Sequence, residues 1–181
     1  VAACDHAQRQ RGELNRINVF PVPDGDTGTN LALTVRAVSD HLRGAGHGSA
    51  AVVARAAADA AVMGARGNCG MLLSHFLIGF SGAMDSAPRL HSPQFVSALR
   101  AGVDHLYGAL ERPMEGTILT VMRETAEEAE AAAEPDFELL LERLVERARS
   151  ALARTPDHLP ALREAGVGDA GADRKSTRLN S

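Results

Sequence analysis

Ile17-Asn18-Val19-Phe20-Pro21-Val22-Pro23-Asp24-Gly25-Asp26-Thr27-Gly28 decides how the rest of the chain is read. Two Pro and two Gly forbid a regular helix across it, so it is a loop, stiffened by its prolines. Before it, residues 3–16 form a polar, moderately helical segment. After it, Thr29 or Asn30 can cap a helix through about Leu42, with Leu31, Val35, Val38 and Leu42 on one face. The same alternation of helix and short break runs to the end. Gly44 to Gly48 is a break, and Ser49 can cap a helix through about Met63. Gly64-Ala65-Arg66-Gly67-Asn68-Cys69-Gly70 precedes an apolar helix from Met71 to about Ala83. Ser92 and Pro93 start a helix to about Leu110, since Pro suits the first helical position. Pro113 to Gly116 breaks it, and Thr117 to Ala133 is helical. Pro135 opens the next helix, with Phe137, Leu140, Leu141, Leu144 and Val145 as its buried stripe, and Pro156 to Ala165 is a short final one. Gly166-Val167-Gly168-Asp169-Ala170-Gly171 is the last break.

The pattern gives about seven helices and no strand, an all-α bundle or helical barrel. Composition agrees. The 181 residues include 32 Ala, five Phe, one Tyr and no Trp, and Ala is the best helix former whereas aromatic residues mark strands. The formal net charge is −4 with no basic stripe, which argues against a nucleic-acid binder. The longest mostly apolar run, Met71 to Phe80, is too short to span a bilayer. Cys4 and Cys69 alone cannot build a disulfide framework or a structural zinc site, so a reduced, cytoplasmic setting is expected. The single Lys, against 18 Arg, is Lys175, within a polar tail from Asp173 to Ser181. That tail holds one acid and three bases, so residues 1–172 carry −6. Residues 1–172 are expected to be the domain and 173–181 a disordered, non-native end.

Asp24-Gly25-Asp26 is the first candidate site. Hard cations such as Mg²⁺ take oxygen ligands, commonly one or two carboxylates plus substrate phosphates. Two carboxylates this close repel, and a cation relieves the repulsion. Thr27, Gly28, Thr29 and Asn30 follow with hydroxyls, an amide and a helix N-terminus, whose free N–H groups suit phosphate. A plain Asp/Gly turn capping a helix is the competing reading. A calcium EF-hand fails, because counting from Asp24 puts Gly28 at position 5, Thr29 at 6 and Val35 at 12. In the second glycine cluster, Gly67, Asn68, Cys69 and Gly70 let backbone approach a ligand, or else form a flexible turn. Cys69 has no neighbouring His base, so a nucleophilic role is disfavoured. Glu115-Gly116-Thr117 and Asp169-Ala170-Gly171 complete four breaks that combine Gly with carboxylate or hydroxyl groups.

These four stretches resemble, in order, the motifs of the ATP-binding subunit of bacterial fatty-acid kinase, over about residues 14 to 172. Asn18 to Asn30 is similar to its signature, Gly64 to Gly70 to its second motif, Glu115 to Val121 to its third and residues 150–171 to its fourth. The resemblance is to the N-terminal DAK2-type domain, related to the nucleotide-binding L subunit of dihydroxyacetone kinase. It implies an antiparallel eight-helix barrel, here with its last helix missing. It implies that Asp24 and Asp26 are catalytic and hold a pair of Mg²⁺ ions on the phosphates of ATP. Asn18 stands where the dihydroxyacetone kinases carry a further metal-binding Asp. Thr27, Gly28, Thr29 and Asn30 would contact phosphates, and Gly67, Asn68, Cys69 and Gly70 would line the nucleotide. Family members usually carry Ser where Cys69 stands. Glu115, Gly116, Thr117, Asp169 and Gly171 would close the pocket around ribose and base. The acceptor implied is a fatty-acid carboxylate presented by a separate fatty-acid-binding protein. Homodimerisation would run through domains that this chain does not contain. Dihydroxyacetone kinase chemistry and a non-catalytic regulatory domain are the alternatives. Pro21-Val22-Pro23 favours the fatty-acid kinase type over the first, and the Asp24/Asp26 pair argues against the second.

Overall fold

Helices α1 (Ala2–Arg16), α2 (Thr27–Gly44), α3 (Ala50–Gly64), α4 (Gly67–Gly82), α5 (Ser92–Gly108), α6 (Ile118–Ala132), α7 (Phe137–His158) and α8 (Pro160–Ala165) make up the computed structural model. It describes residues 2–20, 22–44, 48–84 and 89–167, and no strand occurs among them. The fold is therefore all-α, as the composition requires. Pro21, Gly168, Asp169, Ala170, Gly171, Ala172 and the 173–181 tail lie outside the described residues.

Each helix packs on its neighbour in the chain, and α2 also packs on α4. Short connections make such neighbours antiparallel, and the side-chain pairs confirm it. Asn15 at the end of α1 meets Thr29 at the start of α2. His75 and His105 stack with ring centroids 5.7 Å apart across α4 and α5. Arg100 bridges to Glu130 between α5 and α6, and Arg143 to Glu128 between α6 and α7. This up-and-down course places the α1–α2, α3–α4, α5–α6 and α7–α8 connections at one end of the bundle.

The other end is aromatic. Phe76, Phe80, Phe95 and Phe137 form a chain of ring contacts with centroids 5.9, 5.9 and 5.3 Å apart, tying α4 to α5 and α5 to α7. Elsewhere much of the core is made of small residues, set among a few buried Leu such as Leu106 and Leu162. Ala32, Ala58, Ala61, Ala98, Ala126, Ala129 and Ala151 are all buried, so helix backbones come close together. On α2 the most buried residues are Gly28, Ala32, Thr34 and Ser39, whereas the expected Leu31, Val35, Val38 and Leu42 face is only half-buried. On α7 only Leu140 and Leu144 of the expected stripe are buried, while Phe137, Leu141 and Val145 are exposed. α7 packs mainly on α6 and α8, and on α5 through Phe95, Val96 and Leu99, so a narrow stripe is covered.

Three boundaries differ from the sequence reading for identifiable reasons. First, α2 starts at Thr27 rather than after Thr29 or Asn30, because the Asp26 carbonyl already accepts from Asn30 N–H at 2.9 Å. Second, α4 starts at Gly67, with the glycine cluster forming its first turn and Gly70 N–H donating to the Arg66 carbonyl at 3.1 Å. Third, α7 runs through Pro156 to His158. Proline removes the N–H that Leu152 would accept from, and the Thr155 hydroxyl takes that place, donating to the Leu152 carbonyl at 2.8 Å.

Gly79 of α4 sits where a Cβ would lie 2.5 Å from the Ala101 carbonyl oxygen and 2.5 Å from the His105 Cβ. Gly12 of α1 has open space around its missing Cβ. Gly79→Ala is therefore expected to destabilise the fold by about 1–3 kcal/mol through overpacking. Gly12→Ala should stabilise it by about 0.5–1 kcal/mol by removing chain entropy from a helix interior. Urea unfolding of both variants measures this, and shifts of the same sign would contradict the packing described.

Candidate functional site

The first loop is built around Asp24. Asn18 is buried beneath it and donates from Nδ2 to Asp24 Oδ1 at 2.8 Å. The Asp26 backbone N–H points at the same oxygen at 3.4 Å. Gly25 between the two carboxylates has φ +68°, a left-handed conformation that glycine adopts without strain. Both Asp side chains are exposed. Asn18 Oδ1 is buried with no hydrogen-bond partner. A buried carbonyl oxygen left unpaired is costly, and with the two carboxylates of the same loop the donor types available are all oxygen, the kind a hard cation takes. The residues present therefore fit a Mg²⁺ ion. They do so with two carboxylates and one amide, for no group of three His, Cys, Asp or Glu that could hold a metal occurs among the described residues.

The α2 helix carries this loop because α1 holds its first turn. A Cβ on Gly28 would collide with the Arg11 carbonyl and lie 2.8 Å from the Leu14 Cβ. Beside it Asn15 closes two bonds on Thr29, accepting from its N–H at 3.0 Å and donating to its Oγ1 at 3.0 Å. The second loop joins from the other side. Gly67, at φ +57°, leaves room for the Asn30 side chain, into which a Cβ would run. Arg66 N–H donates to Thr34 Oγ1 at 3.1 Å, and that hydroxyl donates to the Asn30 carbonyl at 2.8 Å. The buried Cys69 thiol lies 3.7 Å from the Thr27 carbonyl, so it faces α2. Thr27, Gly28, Thr29, Asn30, Gly67, Asn68, Cys69 and Gly70 thus belong to two adjoining helix N-termini, with Asn68 exposed.

The third loop is an ionic knot. Glu115 accepts from Tyr107 OH at 3.2 Å, from Arg123 Nη2 at 3.0 Å and from the Thr120 hydroxyl. Gly116 N–H donates to Thr120 Oγ1 at 2.7 Å, and Thr117 caps α6 by accepting from Leu119 N–H. Burial works to raise the Glu115 pKa, but the bonds from Arg123, Thr120 and Tyr107 outweigh it and hold the carboxyl below its usual range. Burial, with the Glu115 charge added, pushes the Tyr107 phenol up to about 12. Gly116, at φ +83°, packs on the end of α7, where a Cβ would lie 2.8 Å from His158 Cβ and 2.9 Å from the Leu159 side chain. Val167, after α8, packs on Leu14 of α1 and Ile17 at the start of the first loop. The chain thus brings loops one and two into contact and loop three against the α7–α8 junction. Asp169 and Gly171 lie outside the described residues. Asn15, Thr34, Tyr107, Thr120 and Arg123 hold these loops, and local sequence pattern gives no sign of them because they lie inside helices.

Residues 21–176 match the family model described as DAK2 domain. Over 173 residues the chain is 38% identical to Protein YloV of Bacillus subtilis, covering 94% of this chain and 31% of that protein. It is 39% identical over 160 residues to an uncharacterized protein of Staphylococcus saprophyticus, covering 87% of this chain and 29% of the relative. The chain spans about a third of the length of the curated relatives it matches.

The chain contains one tyrosine, so its titration is read directly from ultraviolet absorbance. Tyr107 has a folded pKa above its unfolded value near 10, so its contribution to stability is complete below pH 10 and is lost as pH rises toward 12. Glu115 works in the opposite sense: its contribution is complete above its unfolded value of about 4.5 and is lost as pH falls below it. Tyrosinate absorbance is expected to rise with a midpoint near 12 in the folded chain and near 10 in urea. Glu115→Gln should bring the folded midpoint part of the way down. A folded midpoint unaffected by that substitution would show that Glu115 and Tyr107 are not coupled.

Proposed function

Because the chain belongs to the DAK2 domain family, the nucleotide-binding, dihydroxyacetone kinase-like type, we propose that it binds ATP with Mg²⁺ and supports phosphoryl transfer to a fatty-acid carboxylate. The acceptor would be presented by a separate fatty-acid-binding protein. The observation that carries this reading is the Asn18–Asp24–Asp26 oxygen cluster at the start of α2, with Asn18 Oδ1 buried and unpaired.

Asp24, Asp26 and Asn18 would hold the metal, which when bound neutralises the phosphate charge that builds toward the transition state. Asn18 keeps Asp24 oriented through the bond at 2.8 Å. Thr27, Gly28, Thr29 and Asn30 offer the α2 N-terminus to the phosphates, and Gly67 to Gly70 offer the α4 N-terminus beside it. A carboxylate acceptor is already a nucleophile, so the site needs no general base, and positioning with charge neutralisation suffices. Cys69 faces the Thr27 carbonyl and takes no nucleophilic part. Glu115, Gly116 and Thr117 shape the far wall as a braced loop, since the Glu115 carboxylate is already engaged by three side chains.

The nature of residue 18 bears on the acceptor. An Asp there would make the site one unit more negative, whereas Asn18 leaves two carboxylates. A less negative site repels an anionic acceptor less, which suits a fatty-acid carboxylate better than the neutral dihydroxyacetone.

Calorimetric titration with Mg·ATP tests the assignment. Wild type is expected to bind. Asp24→Asn keeps the acceptor for Asn18 and the shape of the loop but removes charge. It should weaken binding at least about tenfold, given that even outer-shell partners of a metal are worth about 10–100-fold. Without nucleotide, the same variant should be no less stable than wild type, because the repulsion with Asp26 is relieved. Binding by Asp24→Asn as tight as wild type in the presence of Mg²⁺ would refute the site.

A further inference from the structure

The Asn15–Thr29 pair fixes a proton. A backbone N–H can only donate, so the atom of Asn15 that meets Thr29 N–H at 3.0 Å is Oδ1, and the atom that meets Thr29 Oγ1 is the donor Nδ2. The Thr29 hydroxyl therefore accepts from Asn15, and its own proton points elsewhere. Buried and half-buried hydroxyls in helices commonly donate to the carbonyl four residues back. Three others in this chain do so: Thr34 to Asn30, Ser74 to Gly70 and Thr125 to Val121, at 2.8, 2.8 and 2.6 Å. Thr29 does not, and its hydroxyl donates to no acceptor among the described residues. It stands in the first turn of α2, directly after the Asp24/Asp26 loop and one residue before Asn30, which meets Gly67 of α4. The Thr29 N–H, a first-turn donor that a phosphate could otherwise use, is already taken.

We propose that Asn15 is a positioning residue that aims the Thr29 hydroxyl proton at the phosphate chain of the nucleotide. This rests on the Mg·ATP reading given above. Asn15 occupies the backbone N–H and supplies the hydroxyl's second bond, so Thr29 is left with one function, donation from Oγ1 into the site. Gly28 makes the arrangement possible, because a Cβ there would lie 2.9 Å from Asn15 Oδ1 and displace it.

The test is a double-mutant cycle on the Kd of Mg·ATP by calorimetry. Asn15→Asp still accepts from Thr29 N–H, but a carboxylate cannot donate, so the hydroxyl would turn to donate to it. Asn15→Asp and Thr29→Ala are each expected to weaken binding by about tenfold to a hundredfold, the range for a hydrogen bond to a charged group. Thr29→Ser, which keeps the hydroxyl, should bind within about threefold of wild type by the same scale. In the Thr29→Ala background, Asn15→Asp should add less than about threefold, whereas a pure charge effect of the new carboxylate would persist there in full. Persistence in full overturns the inference. Thr29→Ala binding as tightly as wild type also overturns it, whatever Asn15→Asp does to the fold. A wild-type chain that binds no Mg·ATP overturns the proposed function, and this inference with it; wild-type binding with an unchanged Thr29→Ala overturns this inference alone.

Discussion

At Gly28 the backbone of α2 passes the backbone of α1 so closely that no side chain fits between the glycine and the Arg11 carbonyl. Much of the site's geometry depends on that approach. It brings the last turn of α1 and the first turn of α2 within reach of one short side chain, Asn15, which then bonds both the main chain and the hydroxyl of Thr29. With both helix ends fixed, the residues between them have little freedom. The two carboxylates must project from the same end of the bundle although they repel. Glycines at the neighbouring crossing act alike: Gly64 packs on Ala37 and Gly67 on Asn30, so the end of α3 and the start of α4 each come close to α2, about two turns apart along it. Glycine and alanine at such crossings place backbones this near; large side chains there could not.

Bringing helix ends together does not by itself make the end positive. The bundle is antiparallel, so the N-termini of α2, α4 and α6 alternate with the C-termini of α1, α3, α5 and α7, and the macrodipoles largely cancel beyond the nearest turn. What remains is local: individual N–H and O–H donors against two exposed carboxylates. Such a site cannot attract a triphosphate by long-range field. It needs cations between its carboxylates and the phosphates, and this is why the oxygen cluster and the helix N-termini belong to one proposal rather than two.

Much of this was legible in the sequence. The all-α class follows from alanine content and from punctuation by Gly, Pro and Asp, and the DAK2 match over residues 21–176 agrees with the family that the motifs resemble. Positions within elements were less legible. Size misleads on α2 and α7, where Leu and Val mark half-covered faces and Ala32, Thr34, Leu140 and Leu144 mark the tight ones. Pro156 reads as a break and is not one, because the Thr155 hydroxyl satisfies the carbonyl that proline leaves open. The side chains that brace the site were not legible at all. Asn15 and Arg123 sit within helical stretches where Asn and Arg ordinarily face water, and only the crossing partner gives them a role.

The two ends of the bundle divide stiffness between them. At one end the ring contacts of Phe76, Phe80, Phe95 and Phe137 join α4, α5 and α7 by dispersion, which is non-directional and tolerates small shifts. At the other end the joints are hydrogen bonds and glycine contacts, which do not tolerate them. A donor displaced by 1 Å loses its bond, and a backbone held at van der Waals distance cannot move inward. Glu115 illustrates the difference, since three donors from two helices converge on one carboxylate and fix the loop before any ligand arrives. A site that binds through positioned oxygens and N–H groups belongs at the directional end, and the glycine-bearing α1–α2, α3–α4 and α5–α6 connections are gathered there, with the aromatic joint at the opposite end.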